Sequence, residues 1–204
     1  MNMAFLASLI AFMLILSVII KRQNKLTRKQ EESFWAREAR ANSVRRKSLD
    51  GLDYIQIPLE SFPTSILQND DNVLECISTL EALTSQKIVN LTGYTNTDLK
   101  LEYGTANITV LMEYDQNYTV LVRTLQKWAD ILLETGYVDE ASVLMEFAVS
   151  TGTDISRTYY ELADYWISRG EQFQAERLIT MAENLRSSNK EKIVKHLREM
   201  CHSD

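Results

Sequence analysis

Apolar residues recur in two stretches of the chain at the spacing of paired amphipathic helices. The first stretch contains LLETGYVDEASVLMEFA, Leu132 to Ala148, and the second contains WISRGEQFQAERLITMA, Trp166 to Ala182. In each stretch, and in the residues just before it, apolar residues step by three, one and three positions, and after a glycine they step by four and three. Such spacing is typical of an apolar stripe on one helix, continued on a second helix after a turn. The pattern predicts one helix–turn–helix unit used twice.

Eight positions match when the two copies are aligned so that Gly136 falls on Gly170, a shift that we call the repeat offset. Alanine matches alanine at three of them, and glycine matches glycine at the turn. The pairs are Leu125/Tyr159, Trp128/Leu162, Ala129/Ala163, Leu132/Trp166, Gly136/Gly170, Ala141/Ala175, Met145/Ile179 and Ala148/Ala182. We expect the alanines to lie where two helix backbones come close, because a larger side chain would hold the helices apart.

This spacing resembles the tetratricopeptide repeat, a helical-repeat family with a period of about 34 residues, the same length as the repeat offset. The likeness covers residues 122–188, about one third of the chain. It departs from the family where Thr153 and Ser187 replace the proline that often ends a unit, and a third copy before the first is degenerate or absent. The resemblance implies an all-α fold with an α–α superhelix that binds a protein or peptide on its inner face.

The resemblance also implies which residues line that inner face, since it is formed by the first helix of each unit. They are Arg123, Gln126, Asp130 and Leu133 in the first copy, and Arg157, Tyr160, Asp164 and Ile167 in the second. Arginine and aspartate recur at matched places, so the face carries both charges, with Tyr160 as the expected aromatic anchor. The alternative is a solvated face with no ligand.

An uncharged apolar run, Met3 to Ile20, stands near the start of the chain. As a helix it would span roughly 27 Å, enough for the hydrocarbon core of a bilayer. It lacks the basic start and the small-residue cleavage site of a signal peptide. We therefore expect an uncleaved transmembrane helix; a signal peptide and a buried core helix are the alternatives.

Basic residues directly after this run predict the orientation of the chain. By the positive-inside rule, they place the C-terminal body in the cytoplasm and the short N-terminus outside a single-pass protein of the plasma membrane. Three glycosylation sequons, at Asn90, Asn107 and Asn117, point the other way if the host is a eukaryote.

The segment from Lys21 to Lys47 has a net charge of +7, which leaves −13 for the rest of a chain whose total is −6. No helix breaker occurs from Arg22 to about Arg40, so the first helix is expected to continue past the membrane. The basic side chains either bind anionic lipid headgroups, at about 1 kcal/mol each, or serve only as a topology signal. An acidic body argues against nucleic acid as a partner.

Five segments follow from these patterns. They are a transmembrane anchor (1–20), a basic juxtamembrane helix or linker (21–50), an extended strap with a helical part (51–118), two repeats (119–188) and a capping helix (189–204). In the third segment, Asp71 or Asn72 is expected to cap a helix, and Thr97 or Asp98 a shorter one.

The sequence assembles no set of residues for catalysis, a cofactor or a metal. Cys201 and His202 are adjacent, but two further ligands at zinc spacing are lacking. The six glycines are scattered singly, which excludes a glycine-rich phosphate loop. Cys76 and Cys201 are too few for a disulfide scaffold, and we expect free thiols. We predict that the protein is not an enzyme and has no cofactor.

These observations favour a membrane-anchored, cytoplasm-facing adaptor that binds a partner protein or peptide. One alternative is a structural subunit that pairs with another membrane protein through Met3 to Ile20, and another is an exported, chaperone-like factor. The whole chain also resembles a group of small membrane-anchored bacterial proteins, in FWAREARANSVRRKSLDGLDYIQIP, NTDLK and YDQNYT. This second resemblance implies the same architecture and no particular activity.

Overall fold

The computed structural model describes residues 3–202, apart from the side chains of residues 4–11, 14, 15, 18 and 26. Within residues 3–202 no β-strand is present, which confirms the prediction of an all-α fold. The helices are α1 (Met3–Asn42), α2 (Asp71–Thr84), α3 (Asn96–Tyr103), α4 (Ile108–Glu134), α5 (Val138–Ser150), α6 (Ser156–Ser168), α7 (Gln172–Glu183) and α8 (Lys190–Cys201), with short 3-10 helices at Leu59–Ser61 and Thr105–Asn107.

The chain divides into two compact units. The first comprises the chain up to Lys47 together with Thr95–Ile108, so it contains α1 and α3. The second comprises Ser48–Tyr94 and the chain from Thr109 onward, which holds α2, most of α4, and α5 to α8.

Helix α1 continues without a break to Asn42, which confirms the prediction that the first helix continues beyond the apolar run to about Arg40. Among the residues that the structure describes in full, no helix combines the length and the apolar character needed to cross a membrane. Most side chains of the predicted transmembrane segment, Met3 to Ile20, lie outside the described residues.

Helix α3 begins at a capping box. The Thr95 hydroxyl accepts a hydrogen bond from the Asp98 N–H (3.2 Å), and the Asp98 carboxylate accepts one from the Thr95 N–H (3.0 Å). This reciprocal pair satisfies N–H groups that have no partner within the helix. The sequence prediction of Thr97 or Asp98 as the capping residue is wrong, since Thr95 holds that place.

Ion pairs join α3 to α1 within the first unit. Lys100 Nζ binds the Glu38 carboxylate, which also accepts a hydrogen bond from the Thr97 hydroxyl at 2.7 Å. Arg37 pairs with Asp98 in the same way. The hydrogen bonds from Lys100 and Thr97 lower the pKa of Glu38, and those from the Thr95 side chain and backbone, with Arg37, lower the pKa of Asp98.

Helix α2 is capped one residue earlier than predicted. Asp70 is the N-cap, and its carboxylate accepts hydrogen bonds from the N–H groups of Asn72 (2.8 Å) and Val73 (3.2 Å). Asp71 is the first residue of the helix instead of its cap. The apolar side of α2 is buried through Val73, Cys76, Leu80 and Leu83.

The two predicted repeat units correspond to the pairs α4/α5 and α6/α7, and the same turn closes both. Gly136 and Gly170 have φ angles of +87° and +74°, in the left-handed region that favours glycine. In each turn the glycine N–H donates to the carbonyl three residues earlier (3.2 and 2.9 Å), and the following N–H donates to the carbonyl five residues before it (2.8 and 2.9 Å). These bonds satisfy the last carbonyls of the preceding helix.

The matched alanines are buried, as expected from the alignment. All six have at most 2% of their surface exposed: Ala129, Ala141, Ala148, Ala163, Ala175 and Ala182. Among the other matched residues, Trp166 and Ile179 are half-buried and the two glycines are exposed.

Helix α8 continues the same period. It begins at Lys190, which lies one repeat offset after Ser156, where α6 begins, and it packs against α6 and α7. Ile193 and Leu197 match Tyr159 and Ala163, and all four side chains are fully buried. Helix α8 therefore packs against α6 and α7 with its buried residues in the register set by the repeat offset.

The segment before α3 is held onto the repeats by one amide. Asn90 Nδ2 donates to the carbonyl oxygens of Thr151 (2.9 Å) and Gly152 (3.0 Å) and to the Tyr118 hydroxyl (3.0 Å). The Tyr118 hydroxyl donates in turn to the Thr151 carbonyl at 3.2 Å. This cluster fixes residues near Asn90 to the turn between α5 and α6.

Candidate partner-binding groove

An open groove of about 510 Å³ lies along α4 in the second unit. Its lining comes from α2, from six positions of α4 and from the residue that precedes α6. The lining residues are Asn72, Arg123, Gln126, Lys127, Asp130, Ile131, Glu134 and Ile155. We call this feature the α4 groove.

The sequence of α4 places these six side chains on one face of the helix. They follow one another at alternating steps of three and one, which keeps them on a single stripe. The opposite side of the same helix is buried in the core through Leu125, Trp128, Ala129 and Leu132. Because α4 is locked on that side, its groove face is presented by a rigid element.

A polar network between α4 and α6 fixes the middle of the groove. Gln126 Nε2 donates to Asp130 Oδ1 at 2.7 Å, and Arg157 Nη1 lies 3.1 Å from Asp130 Oδ2. The buried Thr158 hydroxyl donates to the Gln126 side-chain oxygen. Arg157 also contacts Glu161 at 3.4 Å. The Asp130 charge is therefore compensated within the fold.

Lys127 is compensated as well, through α2. Its Nζ lies 2.5 Å from Glu75 Oε2. This hydrogen bond raises the pKa of Lys127 and lowers the pKa of Glu75. Two of the four charged side chains that line the groove are thus already paired.

Arg123 and Glu134 complete the charged lining, and both are exposed. Within the part of the chain whose side chains the structure describes, no ion pair involves either of them. Ile131 and Ile155, both half-buried against the core, supply apolar surface in the same groove. The groove thus offers one cation, one anion and apolar surface to a ligand.

The predicted inner-face residues separate into two sets. Arg123, Gln126 and Asp130 line the α4 groove, and Arg157 adjoins it through Asp130. The others do not line it: Leu133 and Ile167 are half-buried, Asp164 is exposed, and Tyr160 lies against α8.

Tyr160 is covered by the chain's own last helix. Its ring centroid lies 4.1 Å from that of His196 on α8, and its hydroxyl is buried with no hydrogen-bond partner among the described residues. The expected role of Tyr160 as an exposed aromatic anchor does not fit this position. The physical reason is that α8 packs on α6 as a further unit would.

The sequence analysis missed five lining residues: Asn72, Lys127, Ile131, Glu134 and Ile155. Three of these lie on α4, beside positions that were predicted, and the broad face of an amphipathic helix is the signal that would have included them. No sequence pattern pointed to Asn72, because it lies on α2 and reaches the groove only through the tertiary packing of α2 near α4.

Another cavity, of about 380 Å³, lies between α5, α6 and α7. Its wall is mainly apolar, with Trp166 and Leu178 among its residues, and it includes Glu146, whose pKa is raised by burial. No predicted inner-face residue lines this cavity.

Among the described residues, no three His, Cys, Asp or Glu side chains come together as a metal site. Cys76 and Cys201 are free thiols, and burial raises the pKa of each. The predictions of no metal, no cofactor and no catalysis stay predictions.

Comparison with protein-family models, with curated proteins and with solved structures gives no match.

Proposed function

We propose that the protein is a membrane-anchored interaction protein whose α4 groove binds a partner protein or peptide, without catalysis. The observation that carries this proposal is the groove itself. A rigid helix face presents both charges and apolar surface, and three residues expected from the repeat pattern line it. A few convergent polar groups on a partly apolar concave surface are typical of a binding site.

The proposal includes a tetratricopeptide-like superhelix for α4 to α8. Its support is the identical hydrogen bonding of the turns at Gly136 and Gly170, together with the start of α8 one repeat offset after the start of α6. In such a stack the first helices of successive units lie side by side, which would make α4, α6 and α8 one continuous face.

We also propose that Met3 to Ile20 anchors the chain in the plasma membrane. The run has no charge, and its backbone belongs to α1. Its described large apolar side chains are exposed, namely Met3, Phe12, Met13, Leu16, Ile19 and Ile20. A contiguous exposed apolar surface on a helix requires a partner, and a bilayer is the partner that fits an uncharged run followed by basic residues.

The same basic residues support a cytoplasmic body and a contact with anionic headgroups. Lys21, Arg22 and Lys25 are exposed directly after the run. The three sequons point to the opposite orientation only in a eukaryotic host. In the folded chain each asparagine amide donates a hydrogen bond, Asn90 to Thr151, Asn107 to Lys47 at 2.8 Å, and Asn117 to Lys87 at 3.0 Å.

Site-specific photocrosslinking in the native cell tests the groove. A photoreactive phenylalanine analogue replaces Asn72 or Lys127, which line the groove, or Glu176, which is exposed on α7. We expect adducts of the same partner from both groove positions and none from Glu176. Equal labelling from Glu176, or no adduct from either groove position, would contradict the proposal.

An anchor exchange separates this function from that of a structural subunit. Met3 to Ile20 is replaced by an unrelated transmembrane helix in the crosslinking variants. The groove adducts should persist, because the partner contacts the body. If the exchange removes them, the partner is recognised through the membrane segment and the body serves as a brace.

A further inference from the structure

The proposed function does not specify which chemical groups the ligand carries. The charged residues of the α4 groove indicate which groups would bind there. Four charged side chains line the groove. Lys127 is neutralised by Glu75 and Asp130 by Arg157, so neither demands a counter-charge from a ligand. The charges left for recognition are the Arg123 cation and the Glu134 anion.

These two charges lie far apart along the helix. Arg123 and Glu134 are separated by 11 positions of α4. At a rise of about 1.5 Å per residue, this places them roughly 16 Å apart along the axis. An extended peptide advances about 3.3 Å per residue, so roughly five residues cover the same distance.

The anionic end has a second source of negative charge. Glu134 is the last residue of α4 and lies at the negative end of the helix dipole. A basic ligand side chain at this end is attracted by the Glu134 carboxylate and by the negative end of the helix dipole. Ile131 lies one turn before Glu134 on the same face, which places apolar surface close to the basic end of a ligand.

The α4 groove is open to solvent and holds about 510 Å³. That volume falls in the range of sites for drug-sized ligands, about 300–1,000 Å³, which suits a short stretch of extended chain.

We propose that the α4 groove binds an extended peptide segment with an acidic residue and, about five residues away, a basic residue, with an apolar side chain near the basic one. Arg123 binds the acidic residue, Glu134 binds the basic residue, and Ile131 with Ile155 contacts the apolar side chain. This inference rests on the proposed function and specifies the partner's chemistry.

Three fluorescent peptides probe the charge pattern against the full-length chain in lipid nanodiscs. One has the sequence DSGLSK, with the acid and the base five positions apart; the others are DSGLSD and KSGLSK. We expect the chain to bind DSGLSK more tightly than either of the others, by about two- to fivefold for each mismatched charge. The preference should weaken as salt is added, since exposed charges are screened.

Single charge reversals should switch that preference. Arg123→Glu makes both ends of the groove acidic, so this variant should prefer KSGLSK. Glu134→Arg makes both ends basic, and this variant should prefer DSGLSD. Two matched controls, Glu176→Arg on α7 and Lys192→Glu on α8, reverse exposed charges outside the groove lining and should keep the preference for DSGLSK.

The outcomes distinguish this inference from the proposed function. Binding of all three peptides with equal strength, or a preference that the reversals leave unchanged, would overturn the inference. So would failure of every peptide to bind while the partner still crosslinks to positions 72 and 127, and the proposed function would then stand. Absence of the groove crosslinks would overturn both the proposed function and this inference.

Discussion

The matched alanine side chains of the second unit are expected to lie where two helices approach closely. Ala141 on α5 and Ala175 on α7 are matched by the repeat offset, and both are fully buried. At such positions the neighbouring backbone leaves no room for a larger side chain, because protein interiors are close-packed.

Leucine at either position should therefore overpack the helix contact. We expect Ala141→Leu and Ala175→Leu each to lower the free energy of unfolding by roughly 1–3 kcal/mol. Denaturant unfolding of the full-length chain, followed by tryptophan fluorescence, measures the change. Val143→Leu on α5, where the side chain is exposed, is the control and should stay within about 0.5 kcal/mol. Unchanged unfolding of both alanine variants would show that the helices do not meet at these residues.

The periodic residues were predictable from the sequence because packing imposes a local rule on them. Gly136 and Gly170 close identical turns, and the alanines mark close backbones, so the repeat offset alone is enough to find them. Gln126 and Asp130 were expected on the inner face from the family resemblance, not from the repeat offset. Tyr160 was misplaced because its environment depends on α8, whose His196 and Leu197 do not resemble the Leu162 and Ala163 they match.

At the scale of helices, the contact between α1 and α3 depends on carboxylates. The pKa values of Glu38 and Asp98 are lowered by the hydrogen bonds and ion pairs that join the two helices. A carboxyl group with a lowered pKa in the folded state contributes stability above its ordinary pKa, about 4.5 for Glu38 and 3.8 for Asp98. That contribution is lost as the pH falls through the lowered value.

Acidification should therefore loosen α3 from α1. We expect the backbone amides of α3 to lose hydrogen-exchange protection as the pH falls from about 5 to about 3, after correction for the intrinsic exchange rate. Glu38→Gln removes one of the two titrating groups and should reduce this dependence. Equal protection at both pH values in the unmodified chain would contradict the role assigned to these ion pairs.

The predicted helix caps were wrong by one to three residues for a local reason. Asp70 and Thr95 cap α2 and α3, while neighbouring Asp, Asn and Thr residues offer the same chemistry. Several candidates of equal propensity stand in a row, and only the backbone conformation of the preceding residue decides among them. Helix α8 was predicted only as a capping helix. Its register with α6 was not visible in the sequence, because α8 lacks the alanines that revealed the earlier units.

At the scale of the whole molecule, the proposed orientation makes a prediction about the end of the chain. A reporter fused after residue 204 should be active if it works only in the cytoplasm and inactive if it works only outside. The physical reason is the cost of translocating the basic residues that follow Ile20.

The matched control moves those charges. Replacing Lys21, Arg22, Lys25, Arg28 and Lys29 with glutamine and adding lysines before Met3 should invert the reporter result. Activity of the outside reporter in the unaltered chain would overturn the proposed orientation.

The hydrogen bonds of Asn90 have a consequence for the timing of synthesis. Their acceptors, the carbonyls of Thr151 and Gly152, lie 61 and 62 positions further along the chain. The ring of Phe62 likewise packs edge-on against Trp128 and Phe147. At about 5–20 residues per second, a ribosome needs roughly 3–12 s to make the stretch between Asn90 and its acceptors. Throughout that interval the nascent segment around Phe62 and Asn90 lacks the surfaces that bury it and is exposed to chaperones and proteases, so the earliest part of this unit to be made waits for residues that are made much later.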